Sequence, residues 1–194
     1  PSSVTYIDTD VFEDCTNLSE VSINESKSNI ETIGIDAFKN CQSLNYVSKG
    51  VIVGNKYGSL RLPNSVKTIK DGAFEGCGRI SYIYFPDKLS RIGHKSFSKQ
   101  SWTHIYIPEN LTTPPTIKSD QFLITNPFNE NGYLRIHIPS SKLLNTYKNT
   151  FSWMRFEEYM ILSTPDDSDI PVIKPDNPFD PTPPPIVTDP IIPV

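Results

Sequence analysis

Apolar and polar positions along this chain recur over a span far longer than the period of a helix or a strand. Setting Ile33-Gly34-Ile35-Asp36-Ala37-Phe38-Lys39-Asn40-Cys41-Gln42-Ser43-Leu44 beside Ile69-Lys70-Asp71-Gly72-Ala73-Phe74-Glu75-Gly76-Cys77-Gly78-Arg79-Ile80 gives one pattern, I-x-x-x-A-F-x-x-C-x-x-L. It runs again from Ile7 to Leu18, around Val11, Phe12 and Cys15. A fourth copy, Ile92 to Trp102 around Phe97, is one residue shorter and has Gln100 where the others have cysteine. The phenylalanines stand at 12, 38, 74 and 97, in steps of 26, 36 and 23 residues. Self-similarity of this kind marks a stack of repeats. We take 23 residues as the unit and the longer steps as loop insertions.

Each copy divides into two extended pieces around a short turn. Brief strands are predicted over Val4–Ile7, Ile30–Ile33, Val66–Ile69 and Leu89–Ile92. The A-F segment predicts a helical turn with Phe and Cys, three residues apart, on its inward face. Asp10, Asp36 and Asp71 are placed to cap that turn by accepting its free N–H groups. A second strand follows an L-x-x-[IV]-x-[IF]-P pattern, as in Ile80-Ser81-Tyr82-Ile83-Tyr84-Phe85-Pro86 and Trp102-Thr103-His104-Ile105-Tyr106-Ile107-Pro108. The proline ends the strand because it has no N–H for a continuing ladder. One such unit cannot cover its own apolar face, whereas stacked copies can, with equivalent strands about 4.8 Å apart. Cys15, Cys41 and Cys77 then form a buried column of small apolar side chains, since their spacing fits neither a disulfide framework nor a metal knuckle.

Two regions break the pattern. Val51-Ile52-Val53 and Leu60-Arg61-Leu62 flank an Asn/Gly-rich loop and predict a β-hairpin inserted at about residues 48–63. Past Pro108 the repeat degrades, then returns as one strand, Tyr133-Leu134-Arg135-Ile136-His137-Ile138-Pro139. A helix is expected from Ser140 or Ser141 through Leu143, Leu144 and Tyr147, followed by bulky Trp153, Phe156 and Tyr159. A solenoid needs an atypical end to cover its open core. The expected organisation is repeats over 1–108, a degenerate last repeat and C-terminal cap over 109–162, and an extension or linker over 163–194.

Composition changes the picture mainly at that extension. Residues 163–194 hold ten prolines, six aspartates and one lysine. They carry −5 of a chain total of −4, which leaves the preceding 162 residues at +1. Such a segment is expected to be extended, close to polyproline II and linker-like, or else held down on this molecule or a neighbour. A near-neutral body offers no basic stripe for a phosphate backbone, which argues against nucleic acid. No apolar run reaches the ~20 residues of a membrane span. No signal peptide is visible, and the opening Pro1-Ser2-Ser3 is read as a processed or trimmed start.

The unit I-G-x-x-A-F-x-x-C-x-x-L-x-x-[IV]-x-[IF]-P, clearest over Ile33–Val47 and Ile69–Pro86, resembles the BspA-type leucine-rich repeats of bacterial surface and secreted proteins. The resemblance covers about residues 4–162, and Gly50–Val53 through Leu60–Pro63 is similar to an insertion common in that family. The chain departs from the pattern at Val11, Ser96 and Gln100. The resemblance implies a β-rich α/β solenoid, a right-handed leucine-rich-repeat superhelix with short helical turns, the hairpin insertion and a C-terminal cap. It also implies an extracellular or cell-surface location and a role in adhesion or protein binding, with no catalytic residues and no cofactor. The partner would be a host or matrix protein or a glycan, or the chain's own or a neighbouring proline-rich segment.

Candidate chemistry is sparse. No nucleophile elbow, metal-protease helix or phosphate-cradling glycine loop occurs. His94 falls in a turn and is expected at the surface. His104 and His137 fall in neighbouring strands, in columns two residues apart, which puts them on the order of 8 Å from each other, too far to share a metal without a third group. A metal site and an enzyme are therefore not expected. The second strands are more informative, because side chains alternate across them. Val21, Val47, Ile83, Ile105 and Ile136, with Ile23, Phe85, Ile107 and Ile138, point inward. The outward columns read Glu20, Tyr46, Tyr82, His104, Arg135 and Ser22, Ser48, Tyr84, Tyr106, His137. Tyrosine and arginine are favoured at binding surfaces, where they bury area yet keep a polar tip. Tyr46, Tyr82, Tyr84, His104, Tyr106, Arg135 and His137 are thus the candidate ligand-binding residues. The competing readings are a spacer whose tyrosines only stack across strands, and a face covered by the hairpin, the cap or the extension.

Overall fold

A computed structural model of the chain describes residues 2–24, 27–47, 58–100, 102–118, 128 and 133–163. The predicted hairpin arm at Val51–Val53, Ser48 and the extension from residue 164 onward lie outside the described residues. In chain order the strands are β1 Tyr6–Ile7, β2 Glu20–Val21, β3 Thr32–Ile33, β4 Tyr46–Val47, β5 Gly58–Arg61 and β6 Thr68–Ile69. They continue as β7 Ile80–Tyr84, β8 Arg91–Ile92, β9 Trp102–Tyr106, β10 Thr116–Ile117, β11 Tyr133–Ile138 and β12 Met160–Leu162. Helix α1 spans Ser141–Lys148, and a 3-10 helix spans Met154–Tyr159.

Two sheets arise because each repeat contributes one strand to each. The first runs β1-β3-β6-β8-β10, the second β12-β11-β9-β7-β5-β4-β2. Every pair is parallel. Parallel pairing needs a crossover between neighbours, and here the opposite sheet and the A-F turn supply it. Ile7, Ile33, Ile69, Ile92 and Ile117 come into line in the first sheet. In the second, Val47, Leu60, Ile83, Ile105 and Ile136 align, and all five are buried. The predicted inward columns are thus the core, with Val21 and Ile23 half-buried at the first repeat.

Strand β5 corrects the hairpin. Leu60 and its neighbours pair with β4 on one side and with β7 on the other. With both hydrogen-bonding edges taken, Leu60-Arg61-Leu62 is a member of the sheet and not an arm projecting from it. The 36-residue step between Phe38 and Phe74 therefore holds an extra strand, and with β12 at the far edge it gives the second sheet seven strands against five.

The A-F segments are linked β-turns, not helical turns, and this corrects the capping role given to the aspartates. Two residues before each phenylalanine the backbone is left-handed, at Asp10, Asp36, Gly72 and Lys95, and two residues after it again, at Asp14, Asn40, Gly76 and Lys99. That region costs an ordinary residue about 1–2 kcal/mol, with Asn, Asp and Gly suited to it. Asp10 and Asp36 match Gly72, and Asp71 lies one position off. Between these points the turns bond to one another: Phe12, Phe38 and Phe74 N–H donate to the carbonyls of Ala37, Ala73 and Ser96 at 2.8–2.9 Å. The phenylalanine rings stack in one column, Phe12 on Phe38 at 5.1 Å, Phe38 on Phe74 at 5.2 Å and Phe74 on Phe97 at 5.7 Å. Phe128 continues it at 6.1 Å from Phe97.

The cysteine column has its own chemistry. The Cys41 thiol donates to the Phe12 carbonyl and the Cys77 thiol to the Phe38 carbonyl, each at 3.1 Å. Gln100 reaches the Phe74 carbonyl through its amide at 3.4 Å. A buried donor is what the position requires, so Gln100 keeps the function of the cysteine it replaces. Burial pushes the Cys41 thiol up to about 11 and the Cys77 thiol further, which keeps both protonated as donors. Cys15 departs from the expected burial: at the first described repeat it is exposed. Thiol titration of the native protein should therefore find one reactive group and denaturant should reveal two more. Prompt labelling of all three would contradict the column.

Beyond β11 the chain turns through α1 and the 3-10 helix and returns as β12 on the edge of the second sheet. Trp153 is fully buried, donates its indole N–H to the Pro115 carbonyl at 2.7 Å, and meets Phe85, Phe128, Tyr147 and Phe156 edge-on or tilted.

Candidate functional site

The outward columns of the second sheet gather into one continuous stack. Strand register sets Tyr46 beside Ser59, Tyr82 between Ser59 and His104, and Arg135 beyond His104. In the next column Arg61, Tyr84, Tyr106 and His137 are neighbours. The Arg61 guanidinium lies 3.5 Å over the Tyr84 ring, a cation–π contact. Tyr84 stacks on Tyr106 at 4.7 Å, Tyr106 on His137 at 4.2 Å, His137 on His104 at 5.2 Å, and His104 on Tyr82 at 5.2 Å. Five predicted site residues thus meet directly, while Arg135 and Tyr46 stand beside the stack. Arg61 and Ser59 were missed, because β5 had been read as a hairpin arm.

Two expectations are corrected here. The histidines are not 8 Å apart: His104 Nδ1 and His137 Nε2 lie 2.9 Å from each other, and His137 Nδ1 lies 2.6 Å from Ser163 Oγ. Their columns are indeed two residues apart, but on a sheet diagonal long rings lean toward each other and close a gap that the backbone leaves open. The face is also not exposed. Tyr82, Tyr106, His104 and His137 are each only 4–6% accessible, while Tyr46, Tyr84 and Arg135 are half-buried. The rings of Tyr84 and Tyr106 have neighbours in the stack on both faces, so the stack offers edges and not flat platforms. Burial, then Arg135, holds His104 down at about 4; burial, then His104 and Arg135, holds His137 down at about 3. Both rings are neutral at ordinary pH. His94 sits half-buried in its turn, its N–H on the Asp71 carboxylate at 3.1 Å. Among the described residues no group of three metal-binding side chains occurs.

At the end of the stack lies a cleft of about 260 Å³, bounded by Arg61, Asn64, Tyr84, Asp87, Tyr106 and Pro108 among others. Asn64 and Asp87 of its lining belong to a polar ladder in which Asn64 and Asn110 each donate an amide N–H to Asp87 Oδ2 at 3.3 Å. Their numbers differ by the 23-residue unit, so the repeat period alone was enough to find them. Arg61 Nε is buried there without a hydrogen-bond partner. A buried donor left unsatisfied costs about 1–3 kcal/mol.

A family profile described as "BspA type Leucine rich repeat region (6 copies)" matches residues 1–53, 27–126 and 53–164. The chain belongs to the BspA-type leucine-rich repeat family. Its strand pairs and turn columns are the repeat of that family. Three solved structures resemble this BspA-type chain: a leucine-rich repeat protein of T. pallidum at 23% identity and TM-score 0.49, one of Bacteroides ovatus at 22% and 0.47, and a leucine-rich cell surface protein of Faecalibacterium prausnitzii at 25% and 0.47. They cover 72%, 70% and 72% of this chain, which itself spans only 56%, 35% and 32% of theirs. Comparison with curated proteins returned no match. No helix among the described residues is long and apolar enough to cross a membrane.

Proposed function

We propose that this chain is a non-catalytic binding module of an exported or surface protein, and that it engages a host or matrix protein or a glycan at the cleft beside Tyr84 and Tyr106. The observation that carries this reading is the cleft itself, where the Arg61 guanidinium over Tyr84 lines the same space as Asn64 and Asp87. The Arg61 charge suits a peptide carbonyl, a carboxylate or a sugar hydroxyl, and Asn64 and Asp87 in the same lining supply a donor and an acceptor. The cleft is small beside the ~800 Å² per partner of a standard protein interface. A large partner therefore reaches further, onto Tyr46 and Arg135 along the sheet.

The second reading, a spacer whose aromatic residues only stack, is favoured by the burial of Tyr82 and Tyr106. Arrays of matrix proteins and glycans, probed with the parent and with an Arg61→Ala/Asp87→Ala variant, separate the two. The binding reading expects hits that the variant loses by about tenfold or more, equal to at least ~1.4 kcal/mol. Equal binding by a folded variant removes the cleft from the account, and no hit for either protein moves the spacer to first place.

A further inference from the structure

Where β12 ends, one side-chain chain of hydrogen bonds ties three strands together: His104 on β9, His137 on β11 and Ser163 just past β12. The bonds have a direction. A neutral imidazole carries one N–H and one bare nitrogen. If His104 Nδ1–H donates to His137 Nε2, then His137 Nδ1–H donates to Ser163 Oγ; reversed, the Ser163 hydroxyl donates and His137 Nε2–H points at His104. One proton added to either ring leaves the chain intact, because each N–H between the three groups still has an acceptor. A second, on the other ring, sets two N–H groups against each other across 2.9 Å.

We propose that this chain is an acid-released latch, which lets go of β12 and Ser163 when both imidazoles are charged. The rest of the site is arranged so that β12 is what yields. His104 is fixed between Tyr82 and His137 and lies on a strand with neighbours on both sides. Among the described residues β12 has three residues and one neighbouring strand, and both Ile161 and Leu162 are exposed. Just past it the Ser163 N–H donates to the Ile138 carbonyl at 3.0 Å. The charged and titratable groups around the pair, among the described residues, are Tyr82 from β7, Tyr106 from β9 and Arg135 from β11. Glu158 and Tyr159 of the 3-10 helix interact in turn, and Tyr159 feels the Arg135 charge. β12 itself brings no titratable side chain. Arg135 opposes the charging of both rings.

The sign follows from the depressed histidines. The folded pair takes up protons at lower pH than free imidazole near 6.5, so the closed state is fully favoured above about pH 6.5 and loses that advantage as the pH falls toward 4 and 3. The latch is neutral and shut at physiological pH and opens in acid.

Hydrogen exchange of the full chain, with rates corrected for the intrinsic effect of pH, tests this. Between pH 7.5 and 4.5 the amides of Ile161 and Ser163, which face β11, should lose at least tenfold in protection relative to Ile83 and Ile105, and regain it on return. His104→Phe leaves His137 free to donate to Ser163 in either charge state, so that variant should keep its protection in acid; His104→Gln serves if the phenylalanine does not fold. Unchanged protection at Ile161 and Ser163, a parallel loss in β7 and β9, or release of the His104 variants like the parent would each overturn the proposal.

Discussion

Phe74→Ala is expected to destabilise the protein by about 3–5 kcal/mol, the range for emptying a fully buried aromatic site. Phe74 is inaccessible to solvent and stacks on Phe38 from one side and on Phe97 from the other. Its removal leaves a void between two repeats, and the turn bonds between its own N–H and Ser96, and between Phe38 and Ala73, fix the backbone so that the gap cannot close. Loss should grade along the column. Phe38→Ala should match it, while Phe12→Ala at the half-buried end should cost clearly less. Urea unfolding with an unchanged dependence on denaturant checks this, and equal penalties at Phe12 and Phe74 would mean that the stack does not share its load as drawn.

Trp153→Ala should cost at least as much, about 4–5 kcal/mol, because transfer loss and a cavity are joined by an orphaned acceptor. The indole contacts Phe85 from the repeats, Phe128 from the phenylalanine column, and Tyr147 and Phe156 from the C-terminal helices. Without it the Pro115 carbonyl loses its only side-chain donor among the described residues. Phe151, two positions away and 73% accessible, is the internal control: Phe151→Ala should change stability by less than about 0.5 kcal/mol. A tryptophan variant as stable as the parent would show that the repeats need no such cover.

The repeat, its inward columns and the helix at Ser141–Lys148 were legible because they rest on periodicity, which side-chain chemistry displays directly. The departures share a different cause. β10 and Phe128 are a fifth copy, but Thr116-Ile117 carries too little of the motif to stand out when Pro127 replaces the alanine before Phe128 and Asn131 the cysteine after it. β5 reads like a hairpin arm because a strand added to the sheet and a strand folded out of it have the same composition, and only pairing distinguishes them. The left-handed positions are shared by Asp, Asn, Gly and Lys, so no single residue type marks them. At the candidate site the sequence named the aromatic columns. Their burial, the contact of His104 with His137, and Arg61 over Tyr84 depend on which strand lies beside which, and alternation along a single strand carries none of that.

We propose that recognition occurs at the strand-end cleft of the second sheet. Its most direct test is amide shift mapping with a partner recovered from the arrays. The expected result is shifts concentrated at Arg61–Asn64, Tyr84–Asp87 and Tyr106–Asn110, with the first sheet around Thr32, Thr68 and Thr116 unmoved. Shifts confined to the first sheet, with the cleft silent at saturation, would contradict it.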